Sequence, residues 1–489
     1  MRIIGNDPNT PRQTQVVASG TLSTGDTIIV NSDGTVSAVE ETSISQNLGS
    51  FTRFDTAYGS QMSSTYDAAN NRVVISYQDE GGSEYGTAVV GTVSGTSISF
   101  GTPVVYNSAS TYSTGITYDT INEKIVVVYR DIGNSSYGTA RVGTVSGTSI
   151  SFGSEVVYNS GIVDEHNVAT FDENAGKVVV AYKDASNSNY GTAIVGTVSG
   201  TSISFGSEVV FNSATTSGIG ATYDSTAQKI VISYEDGGSA GDYGTAIVGT
   251  VSGTSISFGS EAVFETAFAY QSKIAYDSQN DKSVIVYGDY GNNLGAGTAV
   301  VATVSGTSIS FGTPVVFETA KIYDPEIAYD SFTGKMVISY YLSSNNAGYL
   351  IVGTVSGTSI SFGTRVSVNT YYANSSDELA LTFDSSSNKI VLSYFNADDS
   401  NYGGARVFTN AGVSTNLTTE NYIGTASSPA ADGDGVVVNT QGTVDDNQTG
   451  LTAGQSYYVQ TDGTLSTTAD DPSVFAGTAV SATKLIVKG

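Results

Sequence analysis

Chemistry in this chain would have to come from carboxylates and phenols. Its 489 residues hold 46 Asp and Glu, 31 Tyr, one His and no Cys, so disulfides and thiolate metal sites are ruled out. The adjacent acids Asp377-Glu378 and Asp398-Asp399 are of the type that cleaves glycosidic bonds, a reaction needing one acid on each side of the bond. In so acidic a chain, such neighbours are expected as exposed loop residues. His166 lies in VDEHNVATFD with Asp164 and Glu165 as its adjacent ionisable groups; with no nucleophile motif around it, it reads as a solvated loop histidine. Asp432-Gly433-Asp434-Gly435 and Asp445-Asp446 offer oxygens to Ca²⁺ but lack the spaced acids and final Glu of an EF-hand loop, so they read as turns. No serine elbow, phosphate loop, HExxH motif or sialidase-type Asp box is present. The expectation is a non-enzyme with no catalytic residue, no metal and no cofactor.

These residues must be positioned by a repeat. TVSGTSISFG recurs without change from Thr92, Thr144, Thr197, Thr250, Thr303 and Thr354, a period of 51 to 53 residues. An aromatic-Asp pair recurs seven times, at Asp67, Asp119, Asp172, Asp224, Asp277, Asp330 and Asp384. Each Asp is followed by Arg or Lys five residues on and by Tyr ten residues on (Tyr77, Tyr129, Tyr182, Tyr234, Tyr287, Tyr340, Tyr394). KIVISY and TSISF alternate with period two, as half-buried strands do. Four such strands per unit predict an all-β fold, a seven-bladed β-propeller of four-stranded antiparallel blades over residues 40–412; a β-solenoid is the runner-up. Each Asp is expected to organise a turn opposite its basic residue as an exposed pair, and each Tyr to pack between blades.

Six units carry the full hairpin, whereas the seventh, after Tyr402, loses it. Thr42-Ser43-Ile44-Ser45 resembles the missing TSIS, so residues 40–54 are expected to pair with Gly403–Phe408 and close the ring. Residues 20–37 and 449–466 match at a constant offset, both reading strand, Asp-Gly turn, strand. The N-terminal β segment 1–39 and the C-terminal module 413–489 are therefore expected to form one small β-domain into which the propeller is inserted.

The connection between the first two strands keeps its length, the hairpin between the last two is identical in six units, and the other two connections differ in every unit. The differing pair lies on one face, because strands alternate direction, and variable loops on a constant frame are how a scaffold presents a binding surface. There Tyr58, Tyr112, Tyr270, Tyr323, Tyr371 and Tyr372, beside Asp131, Asp184, Asp236 and Asp289, form the candidate ligand-binding set. Rings stack on sugars while carboxylates accept hydroxyl hydrogen bonds.

The net charge of −27 makes nucleic acid an unlikely partner, and no apolar run approaches membrane-spanning length, so membrane insertion is not expected. MRIIGNDPNTPR is not a signal peptide, which implies folding in the cytoplasm. The run from Leu417 to Gly489, with NYIGTASSPAADGDGVVVNTQGTV and GLTAGQSYYVQTDGTLSTTADDPSVFAGTAVSATKLIVKG, resembles the terminal module of virion structural proteins of marine tailed bacteriophages, including cyanophages. The TVSGTSISFG blades resemble repeats in the same tail-fibre-like and appendage proteins. The resemblance implies a virion component made in the host cytoplasm and oligomeric in the particle. Its implied partners are other virion proteins and a host surface, with polysaccharide as a candidate receptor. A capsid or neck decoration protein whose propeller touches only virion proteins is the alternative, and a polysaccharide-degrading enzyme a weaker one.

Overall fold

A computed structural model describes residues 13–81, 83–238, 241–291, 294–370, 379–396, 399–470 and 472–488. The chain is all-β and divides into two compact units: Gln46–Asn410, and Met1–Ser45 together with Ala411–Gly489.

The 46–410 unit is an antiparallel meander repeated along the chain. In the second repeat, the end of Val104–Asp119 pairs with Lys124–Asp131, which pairs with Tyr137–Ser146, which pairs with Ser149–Phe152 and then with Val156 and Val157. The fourth strand of one repeat runs on into the first strand of the next, as in Val209–Asp224, where separate strands are expected from the sequence. Gly153 to Glu155 interrupt the fourth strand, and a register shift between Tyr112 and Gly115 marks the entry to the first.

Local chemistry fixes both constant connections. At the first turn the Asp is buried, and its carboxylate accepts backbone N–H groups two or three residues on, for instance Ile121 and Asn122 to Asp119 at 3.0 and 2.9 Å. This corrects the expected exposed ion pair: the basic residue is the cross-strand partner, as in Asp119↔Lys124, but no ion pair joins the two among the described residues. The hairpin loop is Gly-Thr, since Ser252 pairs with Ser255. Gly253 at φ +61° leads a two-residue turn of the II′ kind, which a β-carbon would strain.

Adjacent repeats are joined by aromatic packing. The Tyr of each second strand is fully buried. Tyr182 receives Tyr158 from the preceding repeat at 5.2 Å, and Tyr158 also meets Phe205 at 5.6 Å. Phe211 and Phe264 repeat the contact one and two repeats on. Burying each such ring is worth about 1.5–3 kcal/mol.

In the seventh repeat, Tyr402–Thr409 takes its fourth strand from far upstream. Leu48 and Asn47 pair with Phe408 and Thr409, and Arg53 and Thr52 with Gly404 and Ala405. This is the register of Phe152, Ser151, Val157 and Val156 in the second repeat. Phe54 then meets Tyr77 at 5.0 Å and Phe100 at 5.3 Å, the aromatic contact of the other junctions. The pairing residues fall inside the expected segment, but the TSIS look-alike is not among them: Glu41–Ile44 pairs with Gly412–Thr415. The first strands of all seven repeats line one cavity of about 190 Å³, with a space of about 500 Å³ toward the constant turns.

The other unit is an internal duplication. One sheet has the order Gln13–Val17, Gly435–Asn439, Tyr422–Ala426, Thr27–Val30, Val36–Ala38; the other has Val444–Asp445, Lys484–Val487, Val474–Ser481, Ser456–Val459, Leu465–Ser466. Numbered along the chain, both follow the order 1-5-4-2-3. The matched segments 20–37 and 449–466 are thus equivalent hairpins in separate sheets. The repeat unit is inserted between the third and fourth strands of the first copy, where the second copy has only residues 467–473.

Candidate functional site

The variable connections meet in pairs. The segment entering a repeat hydrogen-bonds the link between that repeat's second and third strands: Glu80 N to Tyr58 O at 3.0 Å, Gly237 N to Thr215 O at 2.8 Å and Tyr290 N to Phe268 O at 3.1 Å. The backbone bends where the first strand begins, at Gln61, Ser113, Gln271 and Asp324, all with φ between 45° and 53°.

The candidate acids have another task. Asp131 and Asp184 are 4% and 5% exposed and cap short 3₁₀ turns, accepting from Asn134 N, and from Ser186 N and Asn187 N. Asp236 accepts from Gly238 N at 3.0 Å and Asn212 Nδ2 at 3.1 Å, and Asp289 from Gly291 N at 2.8 Å. These carboxylates hold loops together, the chemistry of the turn Asp residues at the opposite end. Among the other acids considered, Asp399 pairs with Arg53 and Asp164 with Arg130 at 2.8 Å. Asp445 accepts from Asn447 N at 3.0 Å and Gln448 Nε2 at 2.6 Å.

The tyrosines separate. Tyr58 packs on Phe395 at 5.9 Å, Tyr112 is 39% exposed opposite Arg130, and Tyr371 and Tyr372 lie outside the described residues, as do Asp377, Glu378 and Asp398. Tyr270 and Tyr323, from successive repeats, come together edge to face at 6.1 Å. Tyr290 approaches Tyr270 at 6.0 Å and Phe268 at 5.2 Å, and Tyr341 approaches Tyr323 at 6.2 Å. The Lys321 ammonium sits 4.4 Å from the Tyr323 ring centre and 5.2 Å from that of Tyr290. Hydrogen bonding to the Tyr290 hydroxyl, then to that of Tyr323, raises its pKa above the usual lysine value. Burial raises the pKa of Tyr270, helped by the Asp324 charge. Gln271 braces the floor, its Nε2 donating to Asp324 Oδ1 and its Oε1 accepting from Asp324 N, both at 3.0 Å.

Rings, a fixed cation and braced amides form a surface that can stack on an apolar face and hydrogen-bond its rim. Phe268, Tyr290, Lys321 and Tyr341 were missed by sequence reasoning. The available signal was the cross-strand register, which puts Tyr323 opposite Tyr341.

No protein-family model matches this chain, and no curated protein does. Among solved structures, a protein from Lactobacillus plantarum is similar at 12% identity and a TM-score of 0.45, over 74% of this chain and 97% of that one.

Proposed function

We propose that this chain is a non-enzymatic structural protein of a tailed-phage particle, a tail fibre or other appendage. In this reading the 46–410 unit is a closed seven-bladed β-propeller that attaches to a host-surface glycan. The duplicated terminal unit anchors it to other virion proteins, and copies of the chain assemble together in the particle. Ring closure draws support from the Phe54 junction and from the cavity that all seven first strands line. A further stitch supports it: Ser386 N donates to the Tyr66 hydroxyl at 3.2 Å across the last and first repeats, as Ala69 N does to Tyr118 between the first and second. The virion assignment draws on the resemblance of residues 417–489 and of the TVSGTSISFG units.

The observation that carries attachment is the gathering of Tyr270, Tyr323 and Tyr290 around Lys321, among loops that differ from repeat to repeat. Aromatic side chains are the groups that grip the apolar faces of sugars without covalent chemistry. A glycan array and a host-cell binding assay with wild type and a Tyr270→Ala/Tyr323→Ala variant test the reading. Wild-type binding that the variant loses is the expected result. Equal binding by both sinks this face, and no binding by either favours the decoration-protein alternative.

A further inference from the structure

One connection of the loop cluster is built around a cation. The residue that pairs with the head of the third strand is Ser110, Ile162, Thr215, Phe268, Lys321 or Thr370 in successive repeats. Its partner is a Tyr in the first four of these and an Ala in the last two. Ala296, opposite Lys321, is fully buried, and the ring it lacks leaves room beside the one cation of the series.

The slot for that cation is shaped by backbone and rings. Gly295 has φ +98°, and a β-carbon there would stand 2.9 Å from Lys321 Cγ and 3.1 Å from the Tyr290 ring, so stem and ring both lie on bare backbone. Gly295 N donates to Asp289 O at 2.7 Å, and Gly295 O accepts from Ile322 N at 3.0 Å, which ties that backbone to the strand carrying the lysine. The Tyr323 and Tyr290 rings flank the ammonium. A stem held in this way has given up much of its freedom before any ligand arrives.

The charge has no counter-ion. Arg53, Arg130, Arg141, Lys183, Lys273 and Arg365 each pair with a carboxylate. Lys321 pairs with none among the described residues, in a chain of 46 acids and 19 Lys and Arg. The acids around the cluster are already bonded: Asp324 to Gln271, Glu235 by accepting from Gln271 N at 2.7 Å, and Asp289 by accepting from Gly291 N. Packing on the rings needs no charge, since Phe268 occupies the same position one repeat earlier. An ammonium carries three donors and each phenol beside it one more, so the group this cluster lacks is an anionic acceptor.

We propose that the loop cluster takes an acidic glycan, with the carboxylate or sulfate of one sugar on the Lys321 ammonium and the sugar ring against Tyr270 and Tyr323. The inference rests on the glycan reading of this cluster and adds the charge of the ligand. Hydrogen bonds between an ammonium and an anion are about twice as strong as neutral ones, so the charged sugar gains what its neutral counterpart cannot.

Calorimetry on the full chain tests it with oligomers of galacturonate, of glucuronate and of sulfated galactose, each set against its carboxyl-reduced or desulfated counterpart. At least one charged oligomer is expected to bind about tenfold more tightly than its neutral counterpart, the worth of one hydrogen bond to a charged group. Tight binding of a uronate identifies a carboxylate as the anion, and tight binding of the sulfated oligomer a sulfate. Lys321→Met keeps the stem on Gly295 and should abolish the difference, and Lys321→Arg should restore it. Ala296→Tyr puts into the slot the ring that four other repeats carry, so it should also reduce the difference, and it decides the matter should Lys321→Met unfold. The proposal is overturned if charged and neutral forms bind alike, or if the difference survives in the folded variants. Where the two forms bind alike and Tyr270→Ala/Tyr323→Ala loses both, the glycan reading stands and the charge assignment alone fails. Absence of binding by every oligomer removes both.

Discussion

In the four repeats that carry Asp131, Asp184, Asp236 and Asp289, the two ends use the same residue for the same kind of bond, and yet one end is constant among repeats and the other is not. At the constant end, Asp119 closes a turn by accepting from Ile121 N and Asn122 N; at the variable end, Asp131 closes another by accepting from Asn134 N. Both are buried. What separates the ends is the neighbour each must satisfy. The constant turns also bond the next repeat, as Ala69 N does through Tyr118, so a change in one repeat must be matched in another. The variable ends also bond across repeats, but through contacts that differ at each junction, Ser113 N to Gln61 Oε1 at 2.8 Å at one and Gln271 N to Glu235 Oε1 at 2.7 Å at another, so no shared partner holds them to one sequence. A recurring acid is thus a sign of loop construction at both ends, and a ligand surface has to be sought in what the loops add.

The sharpest way to break this comparison is to delete one ring of the repeated frame and one ring of the variable loops. Tyr182 is fully buried between Tyr158 and the Glu208 carboxylate, which accepts from its hydroxyl at 2.8 Å. Tyr182→Ala should cost about 3–5 kcal/mol in urea unfolding. Tyr270→Ala removes a half-buried ring that touches loop neighbours, and it should cost about 1 kcal/mol or less while abolishing glycan binding. Equal losses would mean that the variable end is part of the skeleton.

The skeleton was legible because its residues act in register with their own copies. The period, the buried Tyr and the turn-forming Asp all follow from spacing, and so does the equivalence of residues 20–37 and 449–466. The upstream strand that pairs with the seventh repeat was legible only to within a few residues. Thr42 to Ser45 spell the repeat's word, yet Asn47–Leu48 and Thr52–Arg53 take the strand register, because that places Phe54 against Tyr77. Pattern matching reads the letters of an edge strand, while packing selects the register. The loop cluster was out of reach for a different reason. Tyr270, Tyr290 and Tyr323 come from three connections, so no single stretch of sequence contains it.

An intermediate effect sharpens the likeness between the two kinds of Asp. Asp119→Ala and Asp131→Ala each strand backbone N–H groups inside the protein, and each should cost about 1–3 kcal/mol by denaturant titration. A loss at Asp119 with none at Asp131 would restore the loop-end acids as candidate ligands. Gly253→Ala, which places a β-carbon at φ +61°, should cost about 1–2 kcal/mol. The hairpin end tolerates no cheaper change of shape.

The smallest effect is one of charge, and it asks whether the ends also share an electrostatic cost. Burial, as the leading cause, raises the carboxyl pKa of Asp172 and Asp224 at the constant turns and of Glu265 at the variable end. A carboxyl with a raised folded-state pKa binds its proton more tightly folded than unfolded. Stability from such a group is therefore gained as pH falls through the folded pKa toward the unfolded value near 4, and is lost as pH rises. Asp224→Asn keeps an oxygen that can accept from Ala227 N, bonded at 2.8 Å in the wild type, but it removes the titration. Wild type should accordingly gain stability relative to this variant as the buffer is lowered from about pH 7 toward about pH 4, and Glu265→Gln should show the same sign. A wild-type-to-variant difference that does not move with pH at Asp224, but moves at Glu265, would confine the cost to the variable end, where a bound ligand and not the fold would have to offset it.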